Sequence, residues 1–294
     1  MTILEQVIRQ SQRLSPRTRA IYLKAVESFV AYAGENPGGW HGAIVEQWRD
    51  GLRRGRKSQT VNLYLAGLRF ATKRIAELQR NPSLDFARVA ETLKPDAEEV
   101  RQPLSVDQAR AILATCRGDS PADLRDRALL VLGFRTGLRR AGLAGIQLDN
   151  IDAKAIRGVV LKGGALLDII LDEEMRTALR PWISWLHRKG ITTGTLFRRL
   201  SREGLGGGTT LMGTGISAGG VYAIIRRRAE QAGISHVHPH LLRHSFISWS
   251  VEQGSKAYEI RGVTGQKTDS IVNRYTKDLA AAEARVSASL PKLI

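Results

Sequence analysis

Residues 95–104, PDAEEVRQPL, limit the possible folds of this chain more than any other stretch. Pro95 and Pro103 bar the segment from a helix or strand interior, because each lacks an amide donor and has a fixed φ. Between them, Asp96, Glu98, Glu99 and Arg101 carry charge that a core would not accept. The segment reads as a linker over 96–104, dividing the chain into one body over 1–95 and a second over 105–294. With 294 residues in all, each body is long enough to bury a core of its own.

The first body reads as helical. From Thr18 to Tyr32, the apolar residues Ile21, Tyr22, Ala25, Phe29 and Tyr32 recur at close to a helical period. Ser15 and Pro16 supply a start signal, and the glycines and proline of 34–39 a stop. A second helix is expected near 43–54. A third runs from Ser58, read as its cap, to Gln79, with NPSLDFARVAETLKP closing the body. Around the third helix Lys57, Arg69, Lys73 and Arg74 stand beside apolar Val61, Leu65 and Leu68. These four cations are candidate contacts to a phosphate backbone, against the plainer alternative of a solvated face.

In the second body, Ser105 or Asp107 opens a helix, and the mostly apolar run 123–137 is a helix ended by Gly137. The period changes over 156–171, where two β-branched stretches flank Lys162-Gly163-Gly164, a hairpin signal. Helices resume at 172–188 and 217–232. Residues 204–220 hold eight glycines in seventeen positions and read as a loop free to order on a partner. The Gly-Lys-Ser/Thr of a nucleotide P-loop is missing there. The expected fold class is mainly α with a small antiparallel β-sheet (α+β).

Charge narrows the function. The formal net charge is +17, and it is spread along the chain: 16 Lys and Arg against 8 Asp and Glu in residues 1–95, and 29 against 20 in the remainder. Two basic bodies imply a clamp whose halves both touch a polyanion. In the second body, Arg226 and Arg227, followed by Arg228, are candidate DNA contacts. No apolar run approaches membrane-spanning length, the start MTILEQVIRQSQRLSP is too polar for a secretory signal, and a lone cysteine fits a reducing compartment. A cytoplasmic protein is expected, nucleoid-associated in a bacterium, with no membrane partner.

HVHPHLLRHSF, residues 236–246, holds four of the six histidines. His240 and His244 are four apart and would share a helix face, as zinc ligands do. Supporting ligands are absent, since Leu241 and Leu242 stand where a zinc-protease helix needs its glutamate and Arg243 adds a cation. An anion site fits better. Pro239 suits the first helical position, leaving His240 in a first turn that favours negative charge, and Arg243 three residues on faces the same way. A capped helix with two surface histidines explains the stretch equally well when it is taken alone.

Three further stretches join it. TGLRR places Arg139 just past the turn ending the 123–137 helix, the hairpin offers Lys162, and RGVTGQKTDSIVNRYTKD sets Gln266 in a glycine turn with Tyr275 nine residues on. In this order and spacing, over nearly the whole chain, the set resembles the tyrosine recombinase (phage integrase) family. The resemblance implies a two-domain, C-shaped DNA clamp with a helical core-binding domain and an integrase-type catalytic domain. It assigns catalysis to Arg139, Lys162, His240, Arg243, Gln266 and the nucleophile Tyr275. It implies no metal and no cofactor. The partners it implies are double-stranded DNA with a specific target site and three further copies of the chain, a homo-tetramer on two DNA sites, with the tail after Tyr275 as a docking helix.

Those residue types suit phosphodiester chemistry. Two guanidinium groups stabilise the charge that builds on the phosphate oxygens, a tyrosyl ester preserves the energy of the broken bond, and a lysine protonates the leaving 5′ hydroxyl. Two departures stand out. Gln266 replaces the family's usual His or Trp but still offers an N–H donor, so weakened catalysis is expected, not its abolition. Gly142 stands where an acidic residue is usual, so support for the site must come from elsewhere. Relaxation of supercoiled DNA, as by a type IB topoisomerase, and DNA binding without turnover are the alternatives.

Overall fold

The protein is described by a computed structural model over residues 1–96, 102–161, 163–202 and 209–265, with backbone alone for 201–202 and 209–212. The chain divides into two compact units, Met1–Val100 and Arg101–Ile294.

The first unit is built on α1 (Ile3–Gln10), α2 (Pro16–Ala33), α3 (Gly42–Arg53) and α4 (Ser58–Leu78), with short 3-10 turns at Pro37–Gly39, Pro82–Leu84 and Phe86–Val89. Helix α1 was not expected from the sequence, although its signal is local. Thr2 Oγ1 accepts from the Glu5 amide and the Glu5 carboxylate accepts from the Thr2 amide, a capping box that starts a helix burying Leu4, Val7 and Ile8. Phe29 of α2 sits at the centre of the core, with the rings of Trp40 and Trp48 edge-on at 5.8 and 5.5 Å.

Ser58 does not cap α4. Lys57 holds the cap position, while Ser58 is the first helical residue and is buried. Its amide and its hydroxyl both donate to the Asp96 carboxylate, at 2.8 and 2.7 Å. A carboxylate at a helix N-terminus satisfies orphan donors and suits the dipole, so a distant residue does the work expected of a local one. Asp96, placed in the linker by sequence, is therefore fixed to the first unit.

In the second unit, Ser105 caps α5 (Val106–Ala114) in a capping box with Gln108. There follow α6 (Pro121–Thr136), α7 (Arg140–Gly145), β1 (Ala155–Val160), β2 (Leu166–Ile170), α8 (Glu173–Arg188), β3 (Arg198–Arg202), β4 (Thr209–Gly215), α9 (Ala218–Gln231), α10 (Pro239–Glu252) and α11 (Ala257–Thr264). The described strands form two separate antiparallel pairs, β1–β2 and β3–β4, where one small sheet was expected. Strand β4 also corrects the reading of 204–220 as loop. Thr209, Thr210, Leu211 and Met212 lie in a strand paired with β3, and α9 begins at Ala218. The glycines obscured a short β-forming run.

Helix α6 is buried on nearly every side and packs against α8 and α10. The start of this unit is pinned to α10, because the Leu104 amide donates to Ser245 Oγ at 2.9 Å and its carbonyl accepts from the Trp249 indole at 3.0 Å. The expected linker 96–104 thus has both ends tied, each to its own unit. The expected docking helix after Tyr275 lies outside the described residues. Among these, no helix is long and apolar enough to cross a membrane.

Candidate active site

The site begins with a turn. Helix α6 ends at Gly137, whose φ of +58° is left-handed, and its amide closes the last turn on the Gly133 carbonyl. A Cβ at Gly137 would lie 2.8 Å from Phe246 Cδ1, so both conformation and space require glycine. Thr136 Oγ1 accepts from the Leu138 amide and donates to the Leu132 carbonyl, which stiffens the corner. Two residues past Gly137, half-buried Arg139 stands at the start of α7 in extended conformation.

Helix α10 brings the second arginine. Pro239 is its first residue, as expected, and His238 is its cap, with Nδ1 accepting from the Leu241 amide at 3.2 Å. The histidine cluster thus divides into a cap, a surface residue at positive φ (His236), and His240 with His244 on the helix. Arg243 is 2% exposed, and its Nη1 donates to the Gly137 carbonyl at 2.8 Å and the Thr264 carbonyl at 3.1 Å. A carbonyl is a neutral acceptor, so these bonds orient the guanidinium without cancelling its charge.

The His240 imidazole links the two arginines electrostatically. Its surface edge is open, yet its pKa is held below the usual histidine value, first by desolvation, then by the positive charge of Arg243, then by that of Arg139. Both cations therefore act on one ring and favour its neutral form, the form that has a nitrogen able to accept a proton. His244 is lowered too, by desolvation and then by His240. Among the described residues, no group of three or more His, Cys, Asp and Glu side chains is placed to hold a metal ion.

The flanks of two further candidates converge here. Gly265 closes α11 with a φ of +62°, and a Cβ on it would lie 2.0 Å from Leu161 Cδ1. The residue before Lys162 thus packs on the residue before Gln266, beside the Thr264 carbonyl that holds Arg243. Lys162, Gln266 and Tyr275 themselves lie outside the described residues. Gly142 is buried in α7, where a Cβ would find ordinary contact distances of 3.6 Å and more.

The expected phosphate contacts separate by surroundings. Lys57 and Lys73 are exposed, and Arg74 pairs with Glu77 at 3.0 Å. Arg69 donates from Nε to the Ala87 carbonyl at 3.3 Å and from Nη2 to the Ala90 carbonyl, so it serves packing within the first unit. On α9, exposed Arg226 pairs with Glu230 at 2.6 Å, while Arg227 turns toward the fully buried Asp126. Arg228 is buried and structural. It donates to Asp126 at 2.8 Å, to Asp123 at 2.8 Å and to the Thr115 carbonyl at 2.9 Å. Asp126 also receives the Arg125 guanidinium at 2.7 Å, and sequence reasoning singled out neither of these two residues. The neighbouring Cys116 is buried, and desolvation pushes its thiol pKa up, away from nucleophilic use.

The profile of the phage integrase family matches residues 102–281. Tyrosine recombinase XerC of Chromohalobacter salexigens is 29% identical over 279 residues, covering 91% of this chain and 87% of that protein. Among solved structures, XerH site-specific recombinase bound to palindromic difH substrate is similar in fold, with a TM-score of 0.75 at 14% identity over 97% of this chain and 83% of that one. A lambda integrase tetramer bound to a Holliday junction gives 0.70 at 16% identity over 92% and 74%. The matched region spans more than half of the chain, and the chain belongs to the phage integrase family, the tyrosine recombinases.

Proposed function

We propose that this protein is a site-specific DNA recombinase that cuts and rejoins strands through a 3′-phosphotyrosyl intermediate. The observation that carries the reading is that Arg243 on α10 is bonded to the Gly137 corner, two residues before Arg139, with His240 three residues before Arg243 on the same helix. A phosphodiester docked there meets two permanent cations, which stabilise the charge that grows on its non-bridging oxygens. Tyr275 Oη gives its proton to neutral His240 and attacks phosphorus. The P–O5′ bond breaks, and the leaving oxygen takes a proton from Lys162. The Gln266 amide donates to a non-bridging oxygen. Rejoining reverses each step with a 5′ hydroxyl from another duplex.

Exchange between two sites needs four such centres, supplied by a homo-tetramer clamped on double-stranded DNA with the tail after Tyr275 docked on a neighbour. The lambda integrase tetramer on a Holliday junction supports that assembly by likeness of fold. With DNA as its substrate, the protein works in the cytoplasm, at the nucleoid in a bacterium.

The test uses a nicked duplex bearing the site that the protein itself selects from a randomised library. A covalent adduct on a denaturing gel is expected for the wild type and for Tyr258→Phe, and none for Tyr275→Phe. An adduct that persists in Tyr275→Phe overturns the assignment.

A further inference from the structure

We infer that Val160 and Leu166 are positioning residues, which seat the β1–β2 hairpin on the deoxyribose next to the scissile phosphate and so set the reach of Lys162. This rests on the reading of Lys162 as proton donor to the leaving oxygen.

Val160 and Leu166 are Cα partners at the end of the hairpin and are 60% and 69% exposed. They form one apolar patch across the two strands. Behind it the hairpin is fixed, since Val159 and Ile169 are buried in the core and Leu161 packs on Gly265. The exposed pair thus neighbours Leu161 in the hairpin, and Leu161 packs on Gly265, next in the chain to the Thr264 whose carbonyl holds Arg243.

The turn is short. The Gly164 amide donates to the Leu161 carbonyl at 3.0 Å, and the Leu161 amide to the Ala165 carbonyl at 2.8 Å. Lys162 therefore falls between two strand ends only a few residues apart. If its ammonium is to protonate the leaving O5′, the flanking side chains must come against the sugar that carries that oxygen. Deoxyribose offers C–H surface between its phosphates, and paired aliphatic side chains cover it without requiring a hydrogen bond. Charge agrees. Residues 159–167, VVLKGGALL, contain one charged side chain, and it is the lysine. The nearest acid, Asp168, is occupied by the Gly158 amide at 2.9 Å and by Arg157 at 3.1 Å. A tip that is apolar, cationic and free of carboxylates suits a nucleic acid edge.

The experiment compares cleavage of two nicked duplexes of the selected site, one with the natural 5′ oxygen and one with bridging sulfur in its place. Sulfur leaves as a thiolate when the P–S bond breaks, with no proton needed. Three proteins are used: wild type, Lys162→Ala, and Val160→Ser combined with Leu166→Ser. Both sites of the double variant are exposed, so serine is tolerated by the fold. Lys162→Ala is expected to slow the oxygen substrate by about 100-fold or more and to recover on sulfur, as loss of a general acid does. The double variant is expected to slow the oxygen substrate by about tenfold, part of the general-acid contribution, and to recover on sulfur, with both rates read at saturating protein so that any change in duplex affinity drops out. Equal slowing on both substrates, or no slowing on either, overturns the inference and leaves the patch to DNA binding or to a protein neighbour. If Lys162→Ala itself fails to recover on sulfur, the reading of the lysine falls, and the inference with it.

Discussion

Arg243 shows how one side chain serves fold and chemistry together. Its Nη1 ties the Gly137 corner to the end of α11, and the same cation lowers the His240 pKa. His240 and His244 are both held below the histidine value of an unfolded chain, so the unfolded state binds more protons wherever the two states differ. Stability is therefore full above the unfolded value of about 6.5 and declines as pH falls toward the lowered folded values. Thermal melts should show Tm dropping between pH 7 and pH 5, and His240→Gln combined with His244→Gln should flatten that drop; an unchanged slope would contradict the assignment. At this scale the sequence was informative about Arg139, His240 and Arg243, because the catalytic residue types sit beside local turn and cap signals. His238 as a cap escaped notice, since histidine is an uncommon residue for that role.

At the scale of elements, the ion network around Asp126 joins α6 to α9. Asp126 is wholly buried beneath Arg125 and Arg228, with Arg227 reaching it from the surface. Asp126→Ala would leave buried cations without their carboxylate and should cost about 3–5 kcal/mol in urea unfolding; a loss below about 1 kcal/mol would show that the network holds little. The sequence presented Arg226, Arg227 and Arg228 as one basic run. Successive helical residues point about 100° apart, so the run splits into an exposed residue, a half-turned one and a buried one. Helix α1 and strand β4 were missed for different reasons. The first is a short helix whose capping box went unread, the second a β-forming run inside a glycine-rich stretch.

For the whole molecule, a chain whose two units are both basic should bind duplex DNA with a steep salt dependence. With six to ten phosphate contacts, affinity should fall about 10³–10⁵-fold between 50 and 200 mM salt. Lys73→Ala and Arg226→Ala, one from each unit, should each reduce the log–log slope by about one contact, whereas Arg69→Ala should lower stability and leave the slope alone. Anisotropy titrations measure both, and a slope that neither surface variant moves would contradict DNA contact by both units. The sequence by itself determined most of the longer helices, the glycine stop of α6 and the hairpin, because caps, periods and turns are written within a few residues. Only the tertiary structure decided which cations stay at the surface and which are held inside. Those choices rest on contacts between residues far apart in the chain: Arg243 with Gly137 at 106 positions, Arg228 with Thr115 at 113. What a buried guanidinium meets sets its role: Arg228 is paired with the Asp123 and Asp126 carboxylates, whereas Arg243 is oriented by the Gly137 and Thr264 carbonyls, and such partners are a property of the packed molecule.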